Sequence, residues 1–466
     1  MTLAKEQKTI AWAAGIWMSF WLIFTFTRHA NFHTQAWDMG IFDQLFWNTV
    51  NGNFMQGTLE EIPNHFGIHF SPTLLLLVPL YALIQSPYTL LFTQTIALAA
   101  GIFPLFSIAS RRLPRPFPMV LSIGYLLSPA LHWVATYDFH EIAFFIPLLL
   151  FAWDFMEKEK FIPASVFFTL AAGTKEDAVL AVMFAGIAGA FIWRKDNLKL
   201  RNFGIMLACI SLAYFISVIK IFMPAFGGGL LRLDRYSNLG NSAGEIARNL
   251  LIDPLLIPTT ILTAKKLSYI FWLLIPSAGA ALFSTAGTLL ILPGLAENIL
   301  TNFPTQFSGN YQYDAILIPG IFIGAIFGIE KILNKFPDRK NVIGTGLIFT
   351  IVASYFLRSP VNPVFFPTEI FRTTEKTEAF SRIISGIPGN GSVSANTNLV
   401  PHLSSRSQIY VLGKEPTPTD FILADLADGF GFWSIKEYED YLNALILSGQ
   451  YESDMINDEY LILKRR

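Results

Sequence analysis

Apolar residues run in long blocks from about residue 9 to residue 357, and the blocks then stop. They lie at 9–27, 88–110, 118–136, 142–156, 160–173, 177–193, 202–223, 268–282, 283–296, 315–331 and 342–357. A helix needs roughly 20 apolar residues to cross a bilayer, so the pattern predicts about eleven membrane helices, several of them short. The first block follows Lys5 and Lys8 but is longer than a signal-peptide core and lacks a small-x-small cleavage site, which predicts an uncleaved first span. Beyond residue 357 the period changes. "GSVSANTNLVPHLSSRSQIYVL" predicts strand, short helix, strand, and "DFILADL" and "YLILKRR" predict two further strands. "SIKEYEDYLNALILSG" has the apolar spacing of an amphipathic helix between a serine cap and a glycine stop. The expected fold is an all-α polytopic membrane domain over 1–357 and a small α/β domain over 358–466.

One block resists this scheme. "SPTLLLLVPLYALIQSP" at 71–87 is nearly long enough to span, and the placement of charge decides how it is read. The loops at 111–116, 157–160, 194–201 and 331–340 hold thirteen Lys and Arg, whereas the connections at 137–141, 174–177 and 297–314 hold one, Lys175. Basic loops stay cytoplasmic. Making 71–87 a full span would reverse the following loops, so it is expected to lie in the interface or to re-enter, with Pro72 and Pro79 limiting a regular helix. The N-terminus is then cytoplasmic and the tail extracytoplasmic, in a multipass protein of a prokaryotic plasma membrane.

Composition agrees. The 466 residues are 53% hydrophobic, 15% aromatic and only 14% charged, with mean hydropathy +0.46; soluble domains carry about 25% charged residues. A net charge of −1 gives no basic footprint for a nucleic-acid partner. The single cysteine, Cys209, excludes an intramolecular disulfide.

On the predicted outer side the polar residues gather. "AWDMGIFDQLFW" sets Asp38 and Asp43 in an apolar loop just after the first span, where either carboxylate can serve as a general base or merely cap a helix and wet its outer face. "NHFGIHFSP" spaces His65 and His69 four apart, with Gly67 between them weakening a helix, and "YDFHE" brings Asp138, His140 and Glu141 to one turn. "GTKED" interrupts two apolar runs with Lys175, Glu176 and Asp177. Its lysine can meet a lipid phosphate as a point charge or be neutralised by its acidic neighbours. Arg232 and Arg235 are further phosphate candidates, and Tyr311 and Tyr313 lie in another outer connection. Asp38, Asp43, His65, His69 and His140 are the candidates for a divalent metal. No Walker A, dinucleotide-binding or serine-hydrolase motif occurs.

The order of these features resembles the GT-C superfamily, membrane glycosyltransferases that use polyprenyl-phosphate-linked sugars. "WDMGIFDQLFWNTVNGNF" followed by "HFSPTLLLLVPLY" is similar to that group's acidic motif, interfacial helix and proline element, and "GTKED" resembles its lysine-containing turn. More narrowly, "DMGIFDQ", "LSPALHWVATYDFHE", "YQYDAILIPG" and "VSANTNLVPHLSSRSQIYVL" look like the prokaryotic membrane-protein family called domain of unknown function 2079. The resemblance implies a GT-C-like membrane domain with interfacial helices in the first outer loop. It also implies transfer of a sugar from a polyprenyl-phosphate donor to a hydroxyl of a glycan, lipid or protein acceptor. Asp38 or Asp43 would be the base, with Lys175, Arg232 and Arg235 on the donor phosphate. His65, His69, Asp138, His140, Glu141, Glu176, Asp177, Tyr311 and Tyr313 would line the pocket. Two departures leave the choice of base open: Asp38 is followed by Met39 rather than by a second acid, and the proline element has one proline. A transporter or flippase for a lipid-linked or hydrophobic solute is the alternative, because short, Pro-interrupted spans also mark transporters, and a non-catalytic membrane scaffold is a third.

Overall fold

The computed structural model describes residues 3–413 and 418–466. Among them, five helices are long and apolar enough to cross a membrane: Ala4–Ala30, Pro87–Arg112, Phe117–Thr136, Leu198–Ala225 and Pro337–Arg358. Others that fall on expected spans are shorter, including Phe161–Ala172, Ala178–Ile192 and Thr285–Leu300. Small residues let the helices close up. A Cβ on Gly186 would come within 2.7 Å of the Gly204 carbonyl oxygen, and one on Gly204 within 2.6 Å of the Gly186 oxygen. Such close backbone approach supplies the dispersion contact that replaces hydrophobic drive in lipid.

The basic loops collect at one end of the bundle. Arg111 pairs with Asp154 at 2.6 Å and Glu157 at 2.8 Å, Arg112 pairs with Glu157 and Glu330, and Asn197 donates to Glu159. The segment at 71–87 is not one regular helix. It forms two short helices, Pro72–Leu77 and Val78–Leu83, and a dozen helical residues fall short of a roughly 30 Å hydrocarbon core. The Thr73 N–H donates to the Gly173 carbonyl at 2.9 Å, at the opposite end of the bundle from the basic loops.

The tail carries a five-stranded sheet: β1 (Val393–Ala395), β2 (Ile409–Val411), β3 (Phe421–Asp425), β4 (Tyr451–Ile456) and β5 (Tyr460–Arg465). Their order is β2-β1-β3-β5-β4, with β1 parallel to β2 and β3, and β5 antiparallel to β3 and β4. Ser434 caps the Ile435–Leu447 helix by accepting from the Glu437 N–H, as expected. Two elements had escaped the sequence reading. Strand β4 has few inward apolar residues to announce it, and the Glu375–Ser385 helix, closed by a Thr374–Thr377 capping box, sits between composition regimes.

The tail docks on the first outer loop. The Ala36 N–H donates to the Thr397 carbonyl at 2.7 Å, the Thr58 hydroxyl bonds the Ile409 backbone at the edge of β2, and the His29 and His402 rings stack 4.2 Å apart. Asp43 closes the junction. It lies on the Ile41–Val50 helix and is fully buried, accepting from Tyr81 at 2.6 Å, Ser404 at 2.7 Å and Ser405 at 3.1 Å. One carboxylate thus ties the interfacial helix to the short apolar segment and to the tail.

Asp43→Ala would leave these three hydroxyls facing a void and lower the thermal midpoint of the detergent-solubilised protein, at a cost of about 3 kcal/mol. Burial, opposed by the hydroxyl donors, pushes the Asp43 carboxyl up to about 6. The folded chain therefore keeps a proton that the unfolded chain releases near pH 4, and stability from this group falls as pH rises from about 4 to about 6. Asp43→Asn removes that slope. Wild-type and Asn midpoints running parallel from pH 4 to 7 would refute the clasp.

Candidate functional site

At the end of the bundle opposite the basic loops, a cavity of about 960 Å³ opens between the first outer loop, the 173–177 turn, the 229–250 segment and the Thr285–Leu300 helix. Its lining divides in two. Leu180, Phe184, Phe215, Leu292 and Ile316 make an apolar part, and Asp38, His140, Lys175, Asp177, Arg235 and Glu297 make a charged one.

Asp38 reaches this cavity through an unusual backbone. The chain leaves the Leu3–Ala30 helix, and the carboxylate of Asp138 then catches it. Asp138 is buried, pairs with Arg28, and accepts from the Gln35 N–H at 2.8 Å. Three residues later Asp38 has φ +73° and ψ −72°, a conformation that costs a non-glycine residue about 1–3 kcal/mol and persists only where its surroundings enforce it. The Ile41–Val50 helix starts immediately afterwards.

The Asp38 carboxylate lies 3.3 Å from His140 Nε2, and His140 Nδ1 lies 2.7 Å from Glu141, which is buried behind the ring. Burial pushes the Asp38 carboxyl above the usual range, only partly offset by His140 and the Tyr137 hydroxyl. For His140 burial acts downward, but the carboxylates of Glu141 and Asp38 outweigh it and hold the imidazole above its ordinary value. Burial likewise opposes ionisation of Glu141, yet His140 and Lys175 hold its pKa low. The outcome is an imidazole set between two carboxyl groups that favour its charged form, the outer of which faces the cavity.

Lys175 sits in the turn before the Ala178–Ile192 helix, 3.5 Å from Asp177. Burial works against its charge, but Asp177, Glu141, Glu176 and Glu297 raise its pKa well above normal, so it is a firm cation. Glu176 does not enter an ion pair with it; it binds His69 at 2.9 Å and the Phe70 N–H at 3.2 Å. Glu60 binds His65 at 2.9 Å. Arg235 lies over the Phe303 ring at 4.6 Å and lines the cavity, whereas Arg232 is forked onto Glu61 at 3.0 and 3.1 Å.

Most of the expected residues therefore meet: Asp38, His65, His69, His140, Lys175, Glu176, Asp177, Arg232, Arg235 and Tyr313 all line the cavity. Four do not. Asp43 is enclosed by hydroxyls at the tail junction, Asp138 anchors the loop, Glu141 stands behind His140, and Tyr311 packs edge-on against Tyr137 and Tyr313. The expected metal set is divided likewise, since His65 and His69 are each bound to a separate glutamate and Asp43 lies elsewhere. Among the described residues no three His, Cys, Asp or Glu side chains are grouped to hold a metal. Tyr137, Glu60 and Glu297 were missed. Glu297 closes an apolar run at the start of an outer connection, and that position was its only signal in the sequence.

The chain resembles a solved structure along nearly its whole length: the crystal structure of ArnT from Cupriavidus metallidurans bound to undecaprenyl phosphate. The match has TM-score 0.52 at 9% identity and covers 96% of this chain and 97% of that one. So low an identity speaks to the fold alone, which this chain shares with the ArnT structure. No curated protein matches the chain. A family model described as "Predicted membrane protein (DUF2079)" matches residues 28–462, and on that match the chain belongs to the DUF2079 family of predicted membrane proteins.

Proposed function

We propose that this protein is a membrane glycosyltransferase that moves a sugar from a polyprenyl-phosphate donor to an acceptor hydroxyl at the outer face of a prokaryotic plasma membrane. The observation that carries this reading is the strained Asp38, held at a cavity whose charged part adjoins an apolar part. That division matches a donor made of a phosphosugar and a lipid chain, and undecaprenyl phosphate is the lipid bound in the ArnT structure. The positive-inside rule puts the basic end in the cytoplasm and the cavity outside.

In this mechanism the acceptor oxygen attacks the anomeric carbon of the sugar as Asp38 takes its proton. The bond from that carbon to the phosphate oxygen breaks, and the lipid phosphate leaves with the electron pair. A carboxylate with a raised pKa is a better base. His140, charged by Glu141, keeps Asp38 ionised and aimed until the proton arrives. Lys175 and Arg235 hold the departing phosphate. Asp177, Glu141 and Glu176 surround Lys175 closely enough to keep it charged in a partly apolar site. Positioning and preset charge supply the rate, with no call for a nucleotide.

In a deletion strain, wild type and Asp38→Asn at matched expression should differ as follows. The variant loses about 10²–10⁴ in transfer rate, so mass spectrometry finds the lipid-linked donor accumulated and one sugar missing from a surface glycan, as in the deletion. Normal glycans in the Asp38→Asn strain would sink the assignment of the base. Purified Lys175→Gln should bind undecaprenyl phosphate roughly tenfold more weakly or worse, since a charged hydrogen-bonding partner contributes about 1.5–3 kcal/mol. Unchanged affinity would remove Lys175 from the phosphate site.

A further inference from the structure

At the basic end of the bundle a second, open cleft of about 350 Å³ lies between three helix ends. Phe191, Arg194 and Lys195 come from the end of the Ala178–Ile192 helix and the turn after it, Phe327 and Lys331 from the Ile318–Lys335 helix, and Thr285 begins the Thr285–Leu300 helix. Three cations face one carboxylate, Asp196.

What marks this cluster is that three cations share one cleft with a single carboxylate. At the same end Arg111, Arg112, Arg115 and Lys158 are all held in ion pairs. Among the described residues Lys195 and Lys331 form none, and Arg194 rests only on the Phe191 ring, 4.4 Å from its centre. The start of the Thr285 helix adds to their field. The Ser284 hydroxyl satisfies the Gly287 N–H at 2.9 Å, which leaves the N–H groups of Thr285 and Ala286 at the positive end of a 16-residue helix. An anion seated here would meet cations on two sides and a helix terminus on a third.

We infer that this cleft binds the phosphodiester headgroup of an anionic phospholipid in the leaflet at the basic end, the cytoplasmic one by the positive-inside rule. The apolar residues distinguish a lipid from free phosphate. Phe191 and Phe327 line the cleft, and Leu282 and Phe283, just ahead of Ser284, are exposed. Inorganic phosphate has no use for these surfaces, whereas an acyl chain does. Basic pockets between transmembrane helices are where such headgroups lodge. The site is remote from the catalytic cavity and does not depend on how that cavity is read.

The test is native mass spectrometry of the full-length protein in detergent, titrated with phosphatidylglycerol or with phosphatidylcholine of the same acyl chains. Wild type should retain phosphatidylglycerol preferentially. Lys195→Gln/Lys331→Gln should weaken that binding roughly tenfold or more, at about 1 kcal/mol per cation, while Lys335→Gln, at the same end but outside the cleft, leaves it unchanged. Equal retention of the two lipids by wild type, or undiminished phosphatidylglycerol binding by the double variant, would overturn the inference. Full displacement of the lipid by millimolar inorganic phosphate would overturn the lipid assignment in favour of a free anion. If the double variant does not fold, wild type alone decides: phosphatidylglycerol retention that is indifferent to salt between 50 and 500 mM would also overturn the inference, because a headgroup held by exposed cations is screened.

Discussion

The Asp138 carboxylate, buried between Arg28 and the Gln35 N–H, is the constraint on which the site rests. A carboxylate in that position would be costly alone, and the guanidinium and amide N–H that neutralise it come from the two sides of the turn leaving the first helix. The pair therefore sets the direction in which the chain emerges. The backbone is pinned at Gln35 by Asp138 and at Ala36 by the tail, and the following helix is held by the Asp43 clasp. Between these fixed points Asp38 has to adopt its left-handed conformation. The strain is kept because both of its flanks are over-determined.

The cavity repeats this logic with side chains. Three of its carboxylates are paired with histidines: Glu60 with His65, Glu176 with His69, and Asp38 with His140, behind which Glu141 stands. Lys175 has the carboxyl groups of Asp177, Glu141, Glu176 and Glu297 around it. Such an arrangement resists reorganisation when a charged substrate enters, because the local fields exist beforehand. It also gives three of the chain's seven histidines a common place, each set against a carboxylate.

Asp38 and Asp43 show how little the neighbourhood in sequence says about role. Five residues apart in the same apolar loop, both are acids that could serve as a base. The turn of the Ile41–Val50 helix sends Asp43 away from the cavity into a ring of hydroxyls, while the kink before it turns Asp38 toward His140. Two of the hydroxyls on Asp43 come from residues about 360 positions further on, a pairing that no local pattern carries.

Hydropathy and charge by themselves determined much of this protein, because a bilayer allows few solutions. Apolar runs have to become helices, basic loops have to share a side, and the segment with Pro72 and Pro79 breaks into two short helices. The period of the tail was legible because its strands and helix bury one face each, except where β4 turns polar side chains outward. The choice between two carboxylates, the division of histidines among separate acids, and the arrival of Glu297 beside Lys175 were decided only by tertiary structure. These depend on which helix ends meet across long stretches of chain, and burial, the property that makes a charged residue depend on its partners, has no local signature.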